Sequence, residues 1–148
     1  MKRSMAVCIG FIVCGVAQPI YLVHAAQAAG GASTQDGVYT SEQADQGKAL
    51  YTAKMCSTCH GATLGGFGQN PPLAGNDFLN NWSDQTVGDL FSKIQTTMPA
   101  TAPGSLKPEE TAQIVAYILS ANKFPAGKTE LPQDTAKLKT IHITKPQP

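Results

Sequence analysis

Apolar positions along this chain fall into three helical stripes separated by stretches with no period. From Thr40, the positions Ala44, Gly47, Leu50 and Tyr51 follow one face, and Thr40 with Gln43 three residues on makes a capping-box pattern. A first helix is therefore predicted from Thr40, delivering Met55 and Cys56 to whatever follows. Val87, Leu90, Phe91 and Ile94 repeat at i, i+3, i+4 and i+7, which predicts a second helix from near Ser83, its cap, to Gln95. Pro99 then bars helix continuation through Met98. A third helix is predicted from Lys107-Pro108, with Pro108 in the first turn, Glu109 and Glu110 favoured by the helix dipole, and Ile114, Tyr117, Ile118 and Ala121 as the buried stripe. Phe124-Pro125-Ala126-Gly127 ends it. Beyond lies a polar tail whose Leu131, Leu138, Ile141 and Ile143 are candidates to pack back on the body.

The stretches between are as informative. Residues 61–75 (GATLGGFGQNPPLAG) predict a loop folded close around a flat ligand, because glycine permits backbone approach denied to other residues. Neither a dinucleotide nor a P-loop glycine pattern is present in it. Residues 29–38 are small and polar and read as a flexible leader into a domain at 39–148. Ahead of them, Lys2 and Arg3, the apolar run Met5 to Ala17 and small residues at Ala25, Ala26 and Ala28 predict a signal peptide over 1–28, cleaved after Ala25 or Ala28. The apolar run is short for a membrane span, and Gln18-Pro19 interrupts the alternative, an uncleaved anchor running on to Val23. After cleavage no membrane span is expected, and about 120 residues make one domain.

Composition changes the picture little. The net charge of +1 becomes −1 once Lys2 and Arg3 leave with the leader, and no basic patch marks a nucleic-acid partner. Cys8 and Cys14 also leave, and Phe11-Ile12-Val13 before Cys14 is a poor lipoprotein site, so Cys56 and Cys59 are the cysteines expected in the exported protein. An oxidising compartment without a structural disulfide fits cysteines committed to another bond.

Those two cysteines stand in Cys56-Ser57-Thr58-Cys59-His60, the C-x-x-C-H spacing of covalent haem attachment. The spacing lets two sulfurs reach one edge of a porphyrin while His60 points its imidazole at the iron. Zinc would need four ligands from Cys56, Cys59, His60 and His142, with Cys59 and His60 adjacent, and a redox disulfide expects a βαβ setting that the pattern lacks. One haem c is the expected cofactor. For a second axial ligand the candidates are Met55, Met98 and His142. Met55 is tied to the attachment edge and reads as a packing residue. Met98 stands alone in a polar stretch held extended by Pro99 and is favoured; His142 and an open iron remain as alternatives. His60 needs an acceptor for its other ring N–H, with Pro71 the expected carbonyl and Pro72 the fallback. Trp82 is a candidate donor to a haem propionate, or a tryptophan filling core.

With CSTCH at 56–60, PPLAG at 71–75, TTMP at 96–99 and IVAYIL at 114–119, the chain resembles a class I, monohaem cytochrome c of the bacterial periplasmic type. The resemblance implies an all-α fold of small helices around one covalent haem, with first and last helices crossing where Gly47, Tyr51 and Tyr117 meet. It implies His60 and Met98 as axial ligands and Pro71 as the carbonyl partner of His60. Trp82, PGSL (103–106), FPAG (124–127) and Leu131-Pro132 are similar to cytochrome subunits of quinoprotein dehydrogenases. Lys107 departs from the family, where a capping Ser or Thr is usual. The implied function is non-enzymatic: a periplasmic carrier of single electrons from a dehydrogenase to a downstream cytochrome or oxidase. The alternatives are a permanent cytochrome subunit of a quinoprotein or sulfur-compound dehydrogenase and, less favoured, a haem-based sensor.

Overall fold

Thr40 begins the first helix as the pattern predicts, in a computed structural model that describes residues 32–145. The signal peptide expected over 1–28 lies outside the described residues. The Thr40 hydroxyl accepts from the Gln43 N–H at 3.1 Å and opens α1, Ser41–Ala53. Gln43 does not return to the Thr40 backbone to complete the capping box. It is buried, and its amide instead pairs with both backbone groups of Leu131, donating to the carbonyl at 3.0 Å and accepting from the N–H at 2.8 Å. That pair fixes the tail on the body.

The last long helix, α5 (Pro108–Ala121), crosses α1 at close range. Gly47 makes the approach possible: a Cβ there would stand 1.8 Å from the Gln113 carbonyl oxygen. Beside the crossing, Tyr51 and Tyr117 meet edge to face with ring centres 5.5 Å apart. Lys107 starts α5 without a capping hydroxyl because Glu110 reaches back, its carboxylate accepting from the Lys107 N–H at 2.9 Å.

Between them lie α2 (Cys56–His60), α3 (Asn76–Trp82) and α4 (Val87–Thr97). The cap of α4 is Thr86, not Ser83. Thr86 exchanges hydrogen bonds with Asp89 in a full capping box, and Ser83 instead closes α3, its N–H bonded to the Leu79 carbonyl at 3.0 Å. Helix α3 was not expected, since seven residues carrying three asparagines show no repeating stripe. Its Phe78 is nevertheless fully buried.

The tail packs as the apolar positions predict, with Leu131, Leu138, Ile141 and Ile143 all buried. It forms the short α6 (Thr135–Leu138) and a strand, β2 (Ile141–His142). The described part of the leader departs from expectation. Ala32–Ser33 is a strand, β1, paired in parallel with β2 in the register Ala32 to Ile141 and Ser33 to His142. Thr34 behind it is fully buried, its hydroxyl accepting from the Thr144 N–H at 3.2 Å. Residues 32–38 are therefore held on the tail rather than free of the body. The architecture is mostly helical, the small all-α fold expected, with six α-helices among the described residues.

Candidate functional site: an apolar cleft beside Cys56, Cys59 and His60

A left-handed residue starts the site. After α1 the chain turns at Met55 (φ 59°), and this bend aims α2 so that Cys56 and Cys59, at i and i+3, share one face. The same turn leaves the Met55 side chain 68% exposed, so it is a rim residue rather than the packing residue expected. No disulfide joins Cys56 to Cys59, and burial pushes the Cys56 thiol above its ordinary 9.0.

His60 closes α2 and is 8% exposed. Its Nδ1 lies 2.8 Å from the Pro71 carbonyl oxygen. A carbonyl can only accept, so Nδ1 carries the proton and Nε2 keeps the lone pair a metal requires. The glycine-rich loop brings Pro71 there through backbone bonds: Gly66 N–H donates to the His60 carbonyl at 2.9 Å, and the Leu64 carbonyl accepts from the Leu73 and Ala74 N–H groups at 2.7 and 3.2 Å. Gly66 is at φ +78°, and a Cβ there would stand 2.7 Å from the Asn70 carbonyl oxygen, so the turn admits no side chain. On the other side Tyr51 donates its hydroxyl to the Gly61 carbonyl at 2.8 Å. Desolvation, helped by the neighbouring Cys56 and Tyr117, pushes the Tyr51 pKa up to about 12, so it remains a donor at neutral pH. No residue pattern flags that hydroxyl; the sequence points to Tyr51 only through its helix face and its place at the crossing with Tyr117.

These residues border a cleft of about 310 Å³ that brings together Cys56, Cys59, His60, Pro71, Trp82 and Met98. Leu73, Leu90, Ile94, Leu106, Ile114 and Ile118 supply apolar wall, and Lys54 and Lys93 stand among the residues lining it. Met98 reaches it as the first residue past α4, extended at φ −117° and ψ 154°, its N–H still bonded to the Ile94 carbonyl. His142 does not line it; that residue is exposed in β2. Trp82 ends α3 with its ring stacked on Phe78 at 6.3 Å, and its indole N–H has no hydrogen-bond partner among the described residues. Lys54 pairs with Glu110 at 2.9 Å, joining the end of α1 to the start of α5.

The donor set suits a haem. Two thiols on one helical face, an imidazole with its lone pair fixed, a thioether and apolar walls meet at one opening, whereas zinc would want three or more clustered polar ligands. Among the described residues no group of three or more His, Cys, Asp or Glu could hold a metal ion.

Comparison with protein families matches residues 42–118, more than half of the chain, to the family described as cytochrome c oxidase, cbb3-type, subunit III. The match runs from α1 through the cysteines, the loop and Met98 to most of α5. No curated protein and no solved structure matches the chain.

Proposed function

The chain belongs to the cytochrome c family described as cytochrome c oxidase, cbb3-type, subunit III, and from that premise we propose that it is a periplasmic single-electron carrier whose haem c is held between His60 and Met98. Membership makes it a haem-bearing electron-transfer protein; the compartment, the ligand pair and the direction of transfer are our reading. The observation that carries the reading is the convergence of Cys56, Cys59, His60 and Met98 on one apolar cleft.

Bound there, haem would supply a one-electron couple, and a neutral thioether among its ligands would raise the potential. The chain's own residues do the rest. Cys56 and Cys59 would hold the macrocycle as thioethers. Pro71 keeps the proton on His60 Nδ1 and so keeps Nε2 available. Met98 would offer its sulfur to the iron in competition with O₂ or peroxide, and Leu90, Ile94, Leu106 and Ile118 would exclude water. Trp82 has an indole N–H free to donate to a propionate.

In this role the protein takes electrons from a periplasmic dehydrogenase and passes them to a downstream cytochrome or oxidase through a small, transient contact. The leader over 1–28 supports export. A permanent place in an enzyme complex is the second reading, favoured by the description of the matched family as an oxidase subunit. The exported protein tests the proposal. Porphyrin should stay on the chain after denaturation and solvent extraction, and a redox titration should give one one-electron wave. Extractable porphyrin, or none, would refute the proposal; stable co-purification with an enzyme would favour the second reading.

A further inference from the structure

The loop that presents Pro71 is pinned at its far end by one side chain. Asn122 caps α5 and is 5% exposed. Its Nδ2 donates to the Leu73 carbonyl at 2.9 Å and to the Ile118 carbonyl at 2.8 Å, and its Oδ1 accepts from the Gly75 N–H at 3.0 Å. Two of these three bonds hold the backbone immediately beyond Pro71, and the third ties the same amide to the end of α5. From the other side the Leu64 carbonyl holds Leu73 and Ala74. Pro71 lacks an N–H, so the placing of its carbonyl depends on neighbours held in this way.

We propose that Asn122 is a positioning residue for His60: by pinning Leu73 and Gly75 it sets how tightly the Pro71 carbonyl grips the His60 Nδ1–H, and through that grip the basicity of the imidazole. The inference rests on the reading of His60 as an axial ligand. Asn122 is not among the residues lining the cleft, so it can act on the iron only through the loop. Losing that buried amide leaves the Leu73 carbonyl and the Gly75 N–H to find other partners, which moves the loop that carries them, whereas the Ile118 carbonyl keeps the Asn122 backbone N–H at 3.1 Å.

The sign of the effect separates positioning from mere stability. A firmly held Nδ1–H makes imidazole a stronger donor, which favours ferric iron and lowers the reduction potential; a slackened grip raises it. General loosening that admits water also favours ferric iron, because water solvates the extra charge, and so lowers the potential. The two causes pull in opposite directions.

Asn122→Ala and Asn122→Ser should be compared with the unsubstituted haem protein. Serine can still bond the Ile118 carbonyl four residues back but is too short to hold both Leu73 and Gly75, so it spares the helix end and releases the loop. Both variants should show a raised midpoint potential, and the Gly75 amide should exchange about tenfold faster. Gln43→Ala is the control. It removes an equally buried amide that holds Leu131 and does not line the cleft, and it should lower the melting temperature while leaving the potential in place. An unmoved or lowered potential in haem-loaded Asn122→Ser would overturn the positioning role, as would an equal shift in Gln43→Ala. Failure of Asn122→Ser to fold would assign the residue to stability instead. Absence of covalent porphyrin from the unsubstituted protein would overturn the site reading, and this inference with it.

Discussion

Two walls of the cleft are built by different means. The helix wall, α1 against α5, is held by side-chain shape: Gly47 under Gln113, Tyr51 against Tyr117, and the buried stripe Ile114, Val115 and Ile118. The loop wall, 61–75, has few side chains to pack and is held by hydrogen bonds from elsewhere in the chain, through Tyr51 to Gly61, His60 to Pro71 and Asn122 to Leu73 and Gly75. Shape complementarity fails in large steps when a side chain no longer fits. A hydrogen-bonded loop gives way bond by bond, which suits a segment that tunes a ligand.

The largest effect should come from breaking the helix wall. Gly47→Val places atoms where the Gln113 carbonyl stands and should cost about 3 kcal/mol or more, seen as loss of a cooperative thermal transition. The matching insult to the loop wall is milder. Gly66→Ala forces a side chain onto a left-handed residue against Asn70 and should cost about 2 kcal/mol while α1 and α5 stay docked, which hydrogen exchange by segment would report. If the two substitutions melt the same segments to the same degree, the distinction between the walls is wrong.

Smaller effects belong to the helix starts. Thr86→Ala removes the α4 capping hydroxyl and should cost about 1 kcal/mol in denaturant unfolding, with the Ser83→Ala cost confined to α3. The smallest depends on pH. Asp89 sits below its ordinary 3.8, through hydrogen bonds from the Thr86 side chain and then its backbone; Glu110 sits below its ordinary 4.5, through the Lys107 N–H and then Lys54. Carboxyls depressed in the folded state stabilise it above their unfolded values, and that contribution is lost as pH falls through the lower folded ones. Melting temperature should therefore decline on the acid side of 4.5, and Asp89→Asn with Glu110→Gln should flatten the decline. Asp89 is exposed and Glu110 is half-buried beside Lys54, both at the surface, so the change should be slight and weaker in salt.

Helices α4 and α5 were legible in the sequence because burial there is periodic. Val87, Leu90, Phe91 and Ile94, and Ile114 with Ile118, lie where the stripes put them. Caps were legible only where local chemistry decided between candidates. Ser83 and Thr86 both precede the same apolar run, and the choice rests on Asp89, three residues after Thr86 and able to answer its backbone. Helix α3 and strand β1 were not legible. The first is too short to show a period, and the second exists through its partner Ile141–His142 at the far end of the chain. Within the cleft, the residues with ligating or thioether-forming side chains (Cys56, Cys59, His60 and Met98) stood out by their type. Asn122 behind the loop did not, and Gln43 was legible only as a capping partner of Thr40, since an amide reveals its use only through the distant backbone it meets.

Redox titration of Met98→Ala, with haem still attached, tests the central claim most directly. Removing the sulfur from the cleft should lower the midpoint potential and let the ferrous protein bind carbon monoxide rapidly at neutral pH. An unchanged potential, with carbon monoxide still excluded, would contradict the account.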